Sequence, residues 1–320
     1  MRPASAALAV LCIAASAHAA ARPAERTALL ARAEAALARG DADAARSDFE
    51  RAANEEHAAD IELGLVRSLM QAGAYRQALA FAAHTAGAHG DEAGAAAVYA
   101  QLLEQGGLGA QATLPALPAP AASGDVPPPN ARGVGSGVLV DAGRHALVPL
   151  AVLGEADALW LRNGLGRSVR ARIEQRLDAL GIALLRLDAP LAAAPITLPA
   201  RDAFPGAPGH AVEFDGAAPA WPRLRSGFIG MPVAGGRRLG IELPAGPRGG
   251  PVFDAAGQLI GIALNADGSD RLLPVSALRA SLGETAGTAS AAIPRMPLDQ
   301  IYENALRLTL QLIVTSRPGR

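Results

Sequence analysis

The sequence contains no lysine: all 29 of its basic residues are arginine. It has one cysteine, Cys12, and only 3% of its residues are aromatic. Without lysine there is no Schiff-base chemistry, no Walker A phosphate loop and no Ser–Lys dyad. A single cysteine excludes an intrachain disulfide, a Cys-rich zinc site and an iron–sulfur cluster. The formal net charge of −1 lacks the basic excess of a dedicated nucleic-acid binder. No motif calls for a cofactor or a metal: there is no H-E-x-x-H, no Cys/His cluster, and no G-x-G-x-x-G between a strand and a helix.

What is present divides the 320 residues into five stretches. Residues 1–19 read as a secretory signal peptide. Arg2 supplies the basic start, an apolar run extends from Ala6 to Ala15, and Ala17-His18-Ala19 forms a small-residue cleavage site. The run is too short to span a bilayer. Leu11 before Cys12 does not fit a lipoprotein anchor. An Ala-rich amphipathic helix start is the alternative. The signal-peptide reading predicts a periplasmic or secreted product with no transmembrane segment and no cysteine in its mature form.

Residues 22–113 read as a helical domain rich in Ala, Glu, Arg, Leu and Gln. Gly40, Gly73 and Gly106 recur at a spacing of 33. Gly40 is followed by Ala45, Phe49 and Ala52, and Gly73 by Tyr75, Ala78 and Phe81. Small residues let helix backbones approach, and the aromatic fills the space beside them. This pattern resembles tetratricopeptide repeats, matching two of them and part of a third. The resemblance implies a concave partner-binding surface; the alternative is a helical layer that packs on the following domain. Residues 114–132 include the Pro-rich run LPALPAPAASGDVPPP, which forms neither helix nor interior strand and reads as a semi-extended linker.

From residue 133 to 283 the pattern changes to short apolar runs separated by turn residues. Strands are predicted at Val134–Asp141, Ala146–Leu153, Ala158–Arg162, Ser168–Leu177, Ile182–Asp188, His210–Phe214, Leu224–Ile229, Arg238–Leu243, Pro251–Phe253 and Gln258–Leu264. So many closely spaced strands indicate an all-β barrel or sandwich. Gly135-Ser136-Gly137-Val138-Leu139-Val140-Asp141 resembles the G-S-G-V-I-V-D opening of trypsin-like proteases of the high-temperature-requirement type. Gly181-Ile182-Ala183-Leu184-Leu185-Arg186-Leu187 resembles their D-L-A-L-L-K-L strand. Gly246-Pro247-Arg248-Gly249-Gly250-Pro251-Val252-Phe253-Asp254 resembles G-N-S-G-G-P-L-F-D, and Leu273–Leu278 resembles the A-I-P-V-S-x-L segment that follows. The resemblance implies a chymotrypsin-like double β-barrel after the repeat-like helices, a multidomain α and β architecture.

It also implies that the catalytic triad is gone. The family's His falls on Ala151, its Asp on Gly181 and its nucleophilic Ser on Arg248. None of these side chains can accept a proton or attack a carbonyl. Relocation would require several compensations. His145 lies six residues before Ala151, Asp178 lies three before Gly181, and no Ser occurs between Arg238 and Asp267. His210 opens a strand, which suits capping or packing. Gly246 and the amide of Arg248 hold the oxyanion-hole positions. Arg248 then has two courses: to bind an anion, or to fold back on an acidic neighbour and fill the cleft.

Residues 284–320 read as a linker, a helix from Pro297 to Ala305 and an alternating strand from Leu306. The family carries such a pair just before its G-S-G strand, where this chain has the Pro-rich linker. The first barrel is therefore expected to lack one strand, leaving an open edge for partners unless Leu306–Thr315 fills it, from the same chain or swapped from another copy. The functional expectation is an exported pseudoprotease that binds a protein or peptide or acts as a scaffold. The alternatives are a working hydrolase with a relocated site and a β domain that only stabilises the repeats. Protein or peptide partners are expected, and nucleic acid is not.

Overall fold

The computed structural model describes residues 25–109, 117–154, 156–194, 196, 198–243, 248–266, 269–282, 288–289 and 294–316. The signal-peptide reading of residues 1–19 and the oxyanion position Gly246 lie outside them. Among the described residues no helix is long and apolar enough to cross a membrane.

The N-terminal third of the described chain is helical: α1 (25–38), α2 (Ala42–Glu55), α3 (Ala59–Ala72), α4 (Tyr75–His89) and α5 (Ala95–Gln105). Asp41 caps α2 by accepting the amide of Ala44 at 3.2 Å. Ala45, Phe49 and Ala52 then share its buried face, as their three- and four-residue spacing requires. Gly64 of α3 has no side chain because the Phe49 ring occupies that space. Gly73 ends α3 with φ +75°, a conformation that glycine adopts without a Cβ penalty. Tyr75 and Ala78 lie on the buried side of α4, and the Tyr75 hydroxyl donates to the Leu102 carbonyl at 2.8 Å, tying α4 to α5.

The remainder forms two closed barrels. Its strands are β1 (Ser123–Gly124), β2 (Arg132–Val140), β3 (His145–Pro149), β4 (Ala156–Asn163), β5 (Arg167–Leu177), β6 (Ile182–Leu187), β7 (Leu198–Pro199), β8 (Pro208–Glu213), β9 (Arg223–Val233), β10 (Gly236–Gly240), β11 (Pro251–Phe253), β12 (Leu259–Ala266) and β13 (Ser269–Pro274). After them come α6 (Val275–Leu282), β14 (Thr288–Ala289), α7 (Leu298–Leu308) and β15 (Thr309–Ser316). The first barrel runs β5-β4-β15-β2-β3-β6 and closes through β5–β6, with β1 added in parallel on β5. The second runs β10-β13-β12-β11-β8-β9 and is also closed. This is the double barrel that the motifs imply.

The first barrel has no open edge: the strand expected from the C-terminal segment fills it, from the same chain. β15 lies between β2 and β4, with Leu310 opposite Gly137 on one side and Asn163 on the other. Its Leu310 and Leu312 are fully buried among Leu139, Val148, Leu161 and Leu185 of the barrel interior. The closing strand begins at Thr309, not Leu306, because α7 continues through Leu308. Ile301, Ala305 and Leu308 of α7 are all buried, so the helical face outlasts the sequence's apparent switch to alternation. The strand expected over Ala146–Leu153 stops at Pro149 and gives way to a 3-10 turn at Leu150–Val152. His145, expected in the preceding turn, is the first residue of β3. Arg238–Leu243 shifts to Gly236–Gly240. β13, which completes the second barrel, was not among the predicted strands: Asp270 and Arg271 break its apolar run.

The helices are fastened to the barrels. Tyr75, Val98 and Leu102 belong to the same apolar cluster as Trp221, Leu224, Tyr302 and Leu306. Arg307 of α7 donates to the carbonyls of Ala72 (2.8 Å) and Gly73 (3.2 Å) at the end of α3. Gln71 donates to Leu165 O at 2.6 Å and accepts from Ala121 N at 2.8 Å. The Pro-rich linker is held down as well. Leu117 is buried with its amide on Gln101, and Pro118 O accepts from the Trp221 indole at 2.8 Å.

Candidate functional site

Ala151, Gly181 and Arg248, the positions singled out by the motif resemblance, lie near where the barrels meet. Ala151 sits in the 3-10 turn after β3. Gly181 directly precedes β6 with φ +72°, and its carbonyl accepts the Leu150 amide at 2.9 Å, which places it beside that turn. Arg248 precedes β11, and its carbonyl accepts the Ser136 amide at 3.4 Å. A β-carbon at Gly249 would run into Ser136 O and the Pro149 ring, so the backbones of β2, β3 and the Arg248 loop touch. Ser136 accepts the Phe214 amide on its hydroxyl at 3.0 Å, linking β2 to the end of β8. Gly135 and Gly137 flank it on β2, and Pro251 opens β11.

Arg248 takes the second of its two courses. Its guanidinium is 5% exposed and grips Asp270 of β13 with Nε–Oδ1 at 2.8 Å and Nη2–Oδ2 at 3.0 Å. This is the paired fork geometry in which arginine meets a carboxylate most strongly. Asn265 also donates to Asp270 Oδ1, at 3.0 Å. Glu213 stands alongside, 3% exposed, with its Oε1 accepting the Gly250 amide at 3.2 Å. Burial pushes the Glu213 carboxyl up to about 7, against the pull of the Arg248 charge and that amide. A buried guanidinium with two carboxyls around it thus occupies this part of the junction. Nε and Nη2 of Arg248 are turned to Asp270, and Nη2 also lies 3.5 Å from the Leu243 carbonyl.

The remaining histidines in the barrels are engaged elsewhere. His145 holds Asp141 through Nδ1 (2.8 Å) and Glu174 through Nε2 (3.2 Å). Hydrogen bonds from Arg144 and His145 keep the Asp141 carboxyl below its ordinary range, although its burial opposes this. Asp178 pairs with Arg176. His210 on β8 lies 2.8 Å from the Ser226 hydroxyl on β9 through Nδ1. Burial lowers the His210 pKa, partly offset by the Asp254 charge. Among the described residues no group of three His, Cys, Asp or Glu is placed to hold a metal ion.

The sequence reading did not pick out Glu213 or Asp270. Glu213 left one signal, a carboxylate at the end of an apolar strand. Asp270 left none, because its role depends on β13 lying across the barrel from Arg248.

No family model matches the sequence, and no curated protein matches it. Among solved structures, the serine endoprotease from Yersinia pestis is similar at a TM-score of 0.40 and 17% identity, over 47% of this chain. The matched region spans 59% of that protein's chain.

Proposed function

We propose that this chain is an exported trypsin-like pseudoprotease, a non-catalytic protein that binds protein or peptide partners or acts as a scaffold for them. The observation that carries the reading is Arg248. It stands at the nucleophile position, buried and locked on Asp270, while Ala151 and Gly181 occupy the other two triad positions. A serine hydrolase needs a hydroxyl within reach of a base; at this junction the Ser136 hydroxyl accepts the Phe214 amide and Glu213 accepts the Gly250 amide, and among the described residues no hydrogen bond joins the two. Two closed barrels retained around a blocked centre suit a binding role, and the repeat-like helices add a second surface for partners. Export to the periplasm or beyond follows from the signal-peptide reading of residues 1–19.

A second reading, a hydrolase with a relocated site, is favoured by one contact: the 2.8 Å approach of His210 to the exposed Ser226 hydroxyl. A single experiment separates the two. Purified protein is treated with a fluorophosphonate probe and analysed by mass spectrometry. The pseudoprotease reading expects no adduct. Stoichiometric labelling of Ser226, lost in Ser226→Ala, would replace it with the second reading.

A further inference from the structure

The second barrel presents arginines that the fold leaves without anionic partners. Arg238 of β10 and Arg271 of β13 are directly opposite each other across the strand pair. Like charges at such a position repel and destabilise the pair. Several other arginines of the barrels are matched: Arg223 and Arg225 with Asp215, Arg248 with Asp270, Arg176 with Asp178. Among the described residues, no carboxylate pairs with Arg237, Arg238 or Arg271 within 4.0 Å. Nε of Arg271 and Nη1 of Arg237 are, in addition, buried hydrogen-bond donors with no acceptor. An unmet buried donor costs roughly 1–3 kcal/mol, so the fold bears both a repulsion and unsatisfied donors at one place.

That place adjoins the blocked centre. Nη1 of Arg271 donates to Ala234 O at 3.1 Å. Its Nη2 lies 3.8 Å from where a β-carbon on Gly181 would be. The pair is therefore close to the junction of the two barrels. Neighbouring β9 adds apolar side chains that face solvent: Phe228, Met231 and Val233 are 64%, 66% and 41% exposed. β9 is paired with β10 along this stretch, Phe228 opposite Gly240 and Val233 opposite Gly236.

We infer that the Arg238–Arg271 pair is a binding site for the carboxylates of an acidic peptide segment whose apolar residues rest on Phe228, Met231 and Val233. The inference rests on the non-catalytic peptide-binding reading above and names the chemistry of the partner. Carboxylates placed between the two guanidiniums would relieve their repulsion and accept the free N–H groups in the fork geometry that arginine favours.

The test uses the full chain and fluorescence anisotropy with three labelled peptides. One alternates Glu and Leu, the second has Gln for each Glu, and the third has Lys for each Glu. The Glu peptide is expected to bind, more weakly as salt is raised, and the other two are not. Arg238→Gln and Arg271→Gln should each weaken binding about tenfold, while Arg238→Lys keeps most of it. Arg238 is exposed and faces Arg271, so its Gln variant should melt no lower than the parent, which separates a lost site from a lost fold. Equal binding of the Glu and Gln peptides, or unchanged affinity in both Gln variants, overturns the inference and leaves the peptide-binding reading standing. Binding to anionic phospholipid vesicles that the Glu peptide does not displace also overturns it. Failure of all three peptides to bind overturns the inference together with peptide binding, and leaves the fluorophosphonate result to judge catalysis separately.

Discussion

The ring of Tyr75 on α4 meets the ring of Tyr302 on α7 edge to face, with centroids 4.6 Å apart and planes at 77°. Both residues are fully buried. Each hydroxyl is spent on a backbone carbonyl, Tyr75 on Leu102 at 2.8 Å and Tyr302 on Pro222 at 2.7 Å. The contact joins the helical layer to the helix that delivers the closing strand of the first barrel. Tyr302→Phe removes only the hydroxyl and should cost about 1 kcal/mol. Tyr302→Ala should cost about 3–5 kcal/mol. In both variants helix loss at 222 nm and the fluorescence change of Trp160 and Trp221 are expected to coincide, as in the parent. Two separated transitions would show that the helices and barrels do not share a core.

Arg248 is held by Asp270 in a largely buried pair. Arg248→Ala strands that carboxylate beside Glu213 and should destabilise the fold by about 3 kcal/mol. Replacing both partners, as Arg248→Met with Asp270→Asn, should recover most of the loss, because no unpaired charge remains. Chemical denaturation of the parent, Arg248→Met, Asp270→Asn and the double variant measures the coupling. Arg248→Ser alone is expected to yield no peptidase activity, since Ala151 and Gly181 still supply no base and no orienting carboxylate.

Glu213 gives the stability an unusual dependence on pH. Its carboxyl titrates near 7 in the folded chain, against an ordinary value of 4.5. Between these values the folded chain holds a proton that the unfolded chain has released, so stability falls as pH rises from about 4.5 to about 7. The shift corresponds to at most about 3 kcal/mol. Glu213→Gln should remove this part of the slope and be more stable than the parent above neutrality. Denaturant midpoints across pH 4–8 test it, with a parallel parent and variant as the contrary outcome.

Leu312 of β15 is fully buried in the first barrel. Leu312→Ala should cost about 2–5 kcal/mol. Removing residues 309–316 should do more, because β2 and β4 would each lose a partner and expose unpaired backbone. The shortened chain is expected to aggregate or to elute as large species on gel filtration. A soluble monomer with native circular dichroism would contradict the assigned role of this strand.

Local rules carried much of the fold in the sequence. Phe49 with its alanine neighbours, and Tyr75 with Ala78, follow helical spacing, and the glycines between them mark helix ends. Val138 to Val140 and Ile182 to Leu187 read directly as buried strands. β13 escaped because its side chains answer to a cross-barrel partner, Arg248, and not to a local alternation. The boundary at Leu308 was misplaced because Leu306 and Leu308 open a two-residue alternation while also continuing the three- and four-residue helical spacing from Tyr302 and from Ile301 and Ala305. The positions that the resemblance sets against a triad follow from motif order; the Arg248–Asp270 pair and the Glu213 carboxyl do not, since they meet only after six strands close around them.

The placement of β15 has a consequence for synthesis. Residues 132–187 contribute five strands that together still leave a gap, and the piece that fits it is translated only after the whole second barrel and α7. A ribosome that stops anywhere before residue 309 releases a chain with an unfinished ring, open for cellular proteases to recognise. Completion of the first barrel thus works as proof of length: only a polypeptide read through to this strand can conceal its edges.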